Sequence, residues 1–405
     1  MSTSEGKIRV LRIINRFNLG GPTFNVAYLS KYLDDRFETL LVGGMKDDTE
    51  ASSEFITESL GLKPHTISEM KRSISISADW KAYKEIDKII KDYKPHIVHT
   101  HAAKSGTLGR LAAINNNVPV ILHTFHGHVF HSYFSKLKTT VFKSIERYLA
   151  RRSTRIIAIS NIQKHELGEI HGIAESDKIE VVPLGFDLNR FQENQDSKRA
   201  SFRNKYNLSD TDVAIGIIGR LVPVKNHQMF LKAVANLSDA SPEARFFIIG
   251  DGESKNELLD LAKSLNISFT ELTPPNQSSP LCFTSWIREI DVVMAGLDIV
   301  TLCSLNEGTP VSLIEAQSAS KPVVSTTVGG IEDIVIEGKS ALLCNVDDQA
   351  NFESHLKTLI SDRSKREEMG IAGRAHVVDK YSYTRLVSDM ENLYSTLLQE
   401  NQASV

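Results

Sequence analysis

Three cysteines, Cys282, Cys303 and Cys344, are too few and too scattered for a disulfide framework or a zinc site. Reduced thiols in a cytoplasmic protein are the expected state. No run approaches the ~18 consecutive apolar residues that mark a membrane span. The polar opening Met1-Ser-Thr-Ser-Glu-Gly-Lys7 lacks the apolar centre of a secretory signal. A surplus of one charge is also missing: 47 Lys and Arg stand against 50 Asp and Glu, a net charge of −3. That balance argues against nucleic acid as a partner. What remains is ordinary for a folded protein, with 41% hydrophobic, 24% charged and 7% aromatic residues in 405. That length predicts two to three domains.

Short β-branched runs alternate with longer helical stretches. Expected strands are Ile8–Ile14, Thr39–Val42, His96–His101, Val118–His123, Arg155–Ile159 and Ile179–Val182, then Val213–Ile218, Arg245–Ile249, Ile299–Cys303, Pro322–Ser325 and Ala341–Leu343. Thr23–Leu33 and Asp79–Tyr93 read as helices between them. This rhythm predicts an α/β class of two doubly wound, Rossmann-like domains with mostly parallel sheets. The polar run Gln192-Glu-Asn-Gln-Asp-Ser-Lys-Arg199 has no apolar period and marks the break. The expected domains are 1–190 and 200–379, with a ligand cleft at the carboxyl ends of the strands. Charge divides along the same line: residues 1–180 hold 26 Lys and Arg against 20 Asp and Glu, and the remainder 21 against 30.

Three junctions carry the chemistry. After the first strand, Gly20 and Gly21 permit a close backbone approach, and Pro22 suits a helix start. Such a junction offers free N–H groups to an anion or is a plain βα turn; the dinucleotide pattern Gly-x-Gly-x-x-Gly is absent. After Val213–Ile218 comes Gly219-Arg220-Leu-Val-Pro-Val-Lys225-Asn226, where Asn226 is an expected cap. Arg220 and Lys225 suit a diphosphate clamp, or are two solvated charges. After Ile299–Cys303 comes Asn306-Glu307-Gly308-Thr309-Pro310-Val-Ser-Leu-Ile-Glu315-Ala316, with Thr309 expected as the cap and Pro310 as the first helical residue. Thr309 and Glu315 are then separated by about 9 Å of helix. Two carboxylates beside a helix start suit sugar hydroxyls, which donate to them, or are two unrelated glutamates of a solvated helix.

These motifs, with Lys321-Pro-Val-Val-Ser-Thr-x-x-Gly-Gly330, resemble the GT-B family of retaining nucleotide-sugar glycosyltransferases. His99-Thr-His-Ala-Ala-Lys-Ser-Gly-Thr-Leu-Gly-Arg110 and His123-Thr-Phe-His-Gly-His-Val-Phe130 are similar to the family 4 subgroup that builds bacterial surface polysaccharides. The resemblance implies a nucleoside-diphosphate sugar donor, with UDP favoured, and a saccharide or lipid-linked acceptor. Glu307 would meet donor-sugar hydroxyls and Glu315 the ribose. Arg220 and Lys225 would hold the departing diphosphate. Gly20, Gly21, Gly308 and Thr309 would approach the donor, and His126 would face its sugar. It implies no metal and no cofactor, because fixed cations replace the metal of an Asp-x-Asp motif. The base would lie against Leu281–Ile287, where Phe283-Thr-Ser-Trp286 departs from the usual Phe-x-Gly. The last helix, within 380–405, would cross back onto the first domain.

His101 and Lys104 follow a first-half strand and are candidates for the acceptor, or else a core histidine and a surface lysine. A metal cluster of His123, His126, His128 and His131 lacks an acidic or cysteine partner at ligand spacing. Segment 136–155 is basic, with Lys136, Lys138, Lys143, Arg147, Arg151, Arg152 and Arg155. Its helical period suggests peripheral contact with an anionic inner leaflet through Leu137, Phe142 and Leu149, or a packed helix with a solvated face. Two other functions fit the fold: a non-hydrolysing nucleotide-sugar epimerase and a non-catalytic nucleotide-sugar-binding protein.

Overall fold

The computed structural model describes residues 6–17, 21–44, 54–71, 73–126, 136–276 and 278–403, without the side chains of residues 54 and 136–138. The chain forms two compact units: residues 1–186 with 381–405, and residues 187–380.

The first unit carries β1 (Ile8–Arg16), β2 (Phe37–Gly44), β3 (His65–Ile67), β4 (Ile97–His101), β5 (Val120–Thr124), β6 (Arg155–Ala158) and β7 (Ile179–Val181). They form one sheet in the order β3-β2-β1-β4-β5-β6-β7, with every pairing parallel. Side chains of β1 alternate between faces. Leu11 and Ile13 enter a core with Ala82, Ile86 and Ile90 of helix Ile76–Tyr93. Val10 enters the opposite core with Leu386, Met390, Tyr394 and Leu397 of the last helix, Tyr383–Ala403. That helix therefore completes a sheet begun nearly the whole chain earlier. It is tied in at its start, where the N–H of Phe186 donates to the carbonyl of Tyr381 at 2.8 Å and that of Tyr383 to Phe186 at 2.9 Å.

The second unit carries β8 (Val213–Ile218), β9 (Ala244–Ile249), β10 (Phe269–Glu271), β11 (Leu281–Ser285), β12 (Ile299–Leu302), β13 (Val323–Thr326) and β14 (Ala341–Cys344). Its order is β10-β11-β9-β8-β12-β13-β14, again all parallel. Every residue of β8, β9 and β12 is buried, as both-face coverage by helices requires. Both units are thus doubly wound Rossmann-like α/β folds. In each, the strand order reverses beside the first strand, at β1/β4 and at β8/β12. Ligands of open α/β sheets bind outside the carboxyl ends of strands at such a reversal.

The short edge strands β3 and β10, and the fully paired β11, add to the expected set. All three cysteines are buried free thiols.

Candidate functional site

In the second unit the β8/β12 reversal brings two of the sequence junctions together. Arg220 follows β8 and is exposed, its carbonyl accepts the N–H of Val222 at 3.0 Å, and its guanidinium has no hydrogen-bond or ion-pair partner among the described residues. Lys225 closes a single tight turn, Pro223–Lys225. Its ammonium lies 2.5 Å from Glu307 Oε1 in an ion pair whose side chains are 23% and 10% exposed. Ser304 donates its hydroxyl to the same carboxylate oxygen at 2.5 Å, and Thr326 donates to the Ser304 carbonyl at 2.7 Å. A lysine carries three donors. Glu307 takes one and leaves two for phosphate oxygens, so clamp and sugar carboxylate are compatible.

The loop holding Glu307 rests on the glycine pair after β13. A Cβ on Gly329 would stand 1.8 Å from the Glu307 carbonyl, and one on Gly330 2.0 Å from that of Gly308. Gly329 also has φ +53°, a conformation that favours glycine. The next helix is Val311–Ser318, and its N-cap is Pro310, with φ −72° and ψ 103°. This corrects the expected cap: proline's fixed φ allows extended backbone just before the helix, so Thr309 stands one residue further out. Asn226 does occupy an N-cap, but in the left-handed region and without a side-chain bond, so it does not cap as expected. Glu315 projects from the second turn of its helix. Burial pushes its carboxyl up to about 7, Arg190 opposing and Asp291 adding to the shift.

Ser285, where the resembled pattern has glycine, has φ +57°, in the left-handed region that favours glycine. Its hydroxyl donates to Asp251 Oδ2 at 2.8 Å, and Asp251 Oδ1 accepts the N–H of Gly252 at 2.8 Å. Gly250 and Gly252 press on the carbonyls of Gly219 and Leu221. The run Gly250-Asp-Gly252 thus supports the Arg220 loop as a strand-ending turn. Trp286 follows, half exposed.

In the first unit a buried polar layer crosses the middle of β1 and β4 and reaches the carboxyl ends of β4 and β5. Arg12 Nη1 lies 3.1 Å from both His99 Nδ1 and Tyr394 Oη, which are 2.7 Å apart. Arginine only donates, so Nδ1 of His99 accepts. Its proton is therefore on Nε2, which donates to Thr124 Oγ1 at 2.8 Å. His101 Nδ1 lies 2.9 Å from His126 Nε2, and its ring is 4.1 Å from that of His99, centroid to centroid. Burial holds His99, His101 and His123 well below the ordinary histidine value, and His126 at about 4. All four are neutral at pH 7. On the sheet's other face, a Cβ on Gly106 would stand 2.4 Å from the His123 ring, so this glycine serves close helix–strand packing.

Lys104 reaches the same edge, but its ammonium is held 2.7 Å from Asp79 and also donates to the Ser73 carbonyl. Gly21 opens helix Gly21–Tyr32, while Gly20, His128 and His131 lie outside the described residues. Among the described residues, no group of three or more His, Cys, Asp and Glu could hold a metal ion.

A family model described as "Glycosyl transferases group 1" matches residues 198–376, and one described as "Glycosyltransferase Family 4" matches residues 19–190. The chain belongs to the GT-B glycosyltransferases of the family 4 type. It is 29% identical, over 80% of its length and 81% of the relative's, to the UDP-Gal:alpha-D-GlcNAc-diphosphoundecaprenol alpha-1,3-galactosyltransferase of Escherichia coli. It is 25% identical, over 82% and 85%, to the capsular polysaccharide biosynthesis glycosyltransferase CapM of Staphylococcus aureus. The fold is that of Anabaena HepE crystallised with UDP, with a TM-score of 0.80 at 17% identity, covering 96% of this chain and 100% of that one.

In this glycosyltransferase, sequence reasoning missed Ser304, Arg12 and Tyr394. Ser304 lies three residues before Glu307, close enough to have been weighed with it. Tyr394 shows in the sequence only as one more apolar position of the last helix.

Proposed function

We propose that this glycosyltransferase moves a sugar, with retention of configuration, from a UDP-sugar to a lipid-linked saccharide in surface-polysaccharide synthesis. The observation that carries the reading is the Lys225–Glu307 pair beside the unpartnered Arg220 at the β8/β12 reversal. Two relatives, one named for UDP-galactose and a diphosphoundecaprenol acceptor and one for capsular polysaccharide, support the choice of substrates.

In the proposed reaction the bond between the anomeric carbon and the phosphate oxygen breaks. Positive charge develops on the sugar and negative charge on the departing diphosphate. Arg220, Lys225 and the N–H groups at the start of Val311–Ser318 would meet that negative charge, so the reading calls for no metal. Gly308 and Thr309 bring the backbone to the donor, and Glu307 accepts its sugar hydroxyls. Glu315 accepts from the ribose. The acceptor oxygen attacks on the leaving-group side and gives its proton to the departing phosphate oxygen. His126, with His101 behind it, offers a neutral hydrogen-bonding group at the carboxyl edge of the first sheet. Lys104 contributes to acceptor binding by fixing Asp79 and the chain around Ser73.

Membrane contact through the basic segment is part of this reading, with altered residues. In helix Lys136–Arg152, Leu149 is fully buried, and Arg147 donates to the carbonyls of His171 and Gly172. The exposed apolar side chains are instead Val141, Ile145 and Tyr148. No helix among the described residues is long and apolar enough to cross a membrane.

The test is a thermal-shift screen with UDP-, GDP- and ADP-sugars, followed by transfer to a polyprenyl-diphosphate GlcNAc acceptor and NMR of the new anomeric centre. A ligand at ~100 times its Kd adds about 2.7 kcal/mol. An inverted product overturns the retaining mechanism. Sugar-nucleotide isomerisation without acceptor supports the epimerase instead.

A further inference from the structure

Arg12 sits in the middle of β1 with its side chain fully buried. Among the described residues no carboxylate pairs with it, and its Nε and Nη2 have no hydrogen-bond partner. A buried cation without a counter-charge is unfavourable, and an apolar side chain of similar volume would serve packing better. Packing alone therefore does not account for this arginine.

Its contacts lead in one direction. Nη1 meets His99 Nδ1 and Tyr394 Oη, and the His99 ring lies 4.1 Å from that of His101, at 34°. The His101 ring in turn stacks on that of His126, centroids 5.1 Å apart, with Nδ1 of the first 2.9 Å from Nε2 of the second. An unbroken run of side chains thus joins Arg12 and Tyr394 to His126 at the carboxyl edge of the sheet.

Two neutral imidazoles that share one hydrogen bond have two arrangements. In the first, His101 Nδ1–H donates to His126 Nε2. His126 then carries its proton on Nδ1, and His101 Nε2 is a bare lone pair. In the second, His126 Nε2–H donates, His101 Nε2 keeps a proton and His126 Nδ1 is bare. Both outer nitrogens, His101 Nε2 and His126 Nδ1, are buried without a partner among the described residues. The arrangements therefore differ in where they leave an unsatisfied N–H: at the edge on His126, or in the interior on His101. Beside burial and the neighbouring histidines, the charge of Arg12 acts on His101. A cation one ring away favours a lone pair there over another N–H, and this selects the first arrangement.

We propose that Arg12 and Tyr394 are positioning residues for His126: through His99 and His101 they fix its proton on Nδ1. Tyr394 and Thr124 hold the His99 ring at its two nitrogens, and the stacked rings carry that orientation to His126. The proposal rests for its purpose on the reading that places His126 in the transfer reaction. There it makes His126 a hydrogen-bond donor to a substrate oxygen and not a base.

Nitrogen NMR of the full-length protein carrying isotope-labelled histidine reads the tautomers directly, and the H126Q variant assigns the His126 signals. The parent is expected to show His126 protonated on Nδ1 and bare on Nε2. R12M should move both signals toward the average of the two tautomers, a change that a packing role would not produce. It should also lower turnover about tenfold with the donor KM held within about twofold. R12K keeps the charge and should restore the parental tautomer and most of the turnover. Y394F removes one hydroxyl from a ring of unchanged volume. It should give a smaller shift in the same direction, which keeps the test valid if R12M does not fold. A bare His126 Nδ1 in the parent overturns the proposal, as do His126 signals unmoved in the variants. Parental turnover in H126Q defeats the placement of His126 in the reaction, while the tautomers still decide whether Arg12 and Tyr394 set its proton.

Discussion

Lowering the pH from 7 to 5.5 is expected to weaken the unit formed by residues 1–186 and 381–405 while leaving residues 187–380 nearly unchanged. His99, His101 and His123 are each 0% exposed and held well below the ordinary value. An unfolded histidine takes its proton near pH 6.5, whereas these three stay neutral in the fold. The unfolded state therefore binds more protons as the pH falls, and stability drops by up to about 1.4 kcal/mol per unit per histidine. Three histidines over this interval remove about 4 kcal/mol, and His126 acts in the same direction. In the second unit His227 and His376, both lowered by burial, oppose Glu315. His227, lowered to about 4, removes about 1 kcal/mol. Glu315, raised to about 7, takes its proton more readily folded than unfolded and returns about as much. The molecule holds two tryptophans, Trp80 in one unit and Trp286 in the other. W286F and W80F variants therefore report each unit separately in urea. With a slope of ~2 kcal/mol/M, the Trp80 midpoint should fall by about 2 M and the Trp286 midpoint should hold. A Trp80 midpoint unmoved between the two pH values would refute the neutral-histidine account.

Further outcomes are expected at the site. Glu307→Ala should lower turnover by about 10²-fold or more, and parental transfer rates would remove it from the reaction. Arg220→Ala or Lys225→Ala should weaken UDP binding in calorimetry and slow turnover, with no rescue by magnesium; a chelator that abolishes parental activity would contradict the fixed-cation clamp. Tyr394→Phe should cost about 1–3 kcal/mol in urea unfolding, because Arg12 and His99 lose a buried partner. Deleting residues 381–405 should expose the Val10 face of the first sheet and lower the Trp80 midpoint, and an unchanged midpoint would mean that the last helix is dispensable.

The sequence reveals the strands that are long and apolar, because β8 and β9 are buried on both faces and leave no polar alternation to confuse. It hides β3 and β10, three-residue edge strands too short for any period. The donor junctions are legible because glycine, proline and charge cluster within a few residues. The polar layer is not: nothing in the sequence joins His99 to Tyr394, 295 positions later, whose hydroxyl lies 2.7 Å from its Nδ1. Lys104 looks free until Asp79 is folded against it. Thr309 looks like a cap because threonine often is one, yet Pro310 holds the position by its own backbone. The Phe283-Thr-Ser-Trp286 departure keeps the expected backbone, since Ser285 adopts the glycine conformation and uses its hydroxyl to hold Asp251.

The return of the chain to its first sheet also sets an order of events during synthesis. Residues 187–380 are continuous and leave the ribosome as one block, able to fold as soon as they are out. The first sheet has no such freedom. Leu386, Met390, Tyr394 and Leu397 close one of its faces, and they are made last. Translation at ~5–20 residues per second puts about 10–40 s between the end of β7's unit segment and their arrival. Through that interval Val10, Ile97 and Leu122 lack their cover, and the Arg12 guanidinium lacks the tyrosine it donates to. The nascent first unit thus keeps an apolar sheet face uncovered until the last helix is made.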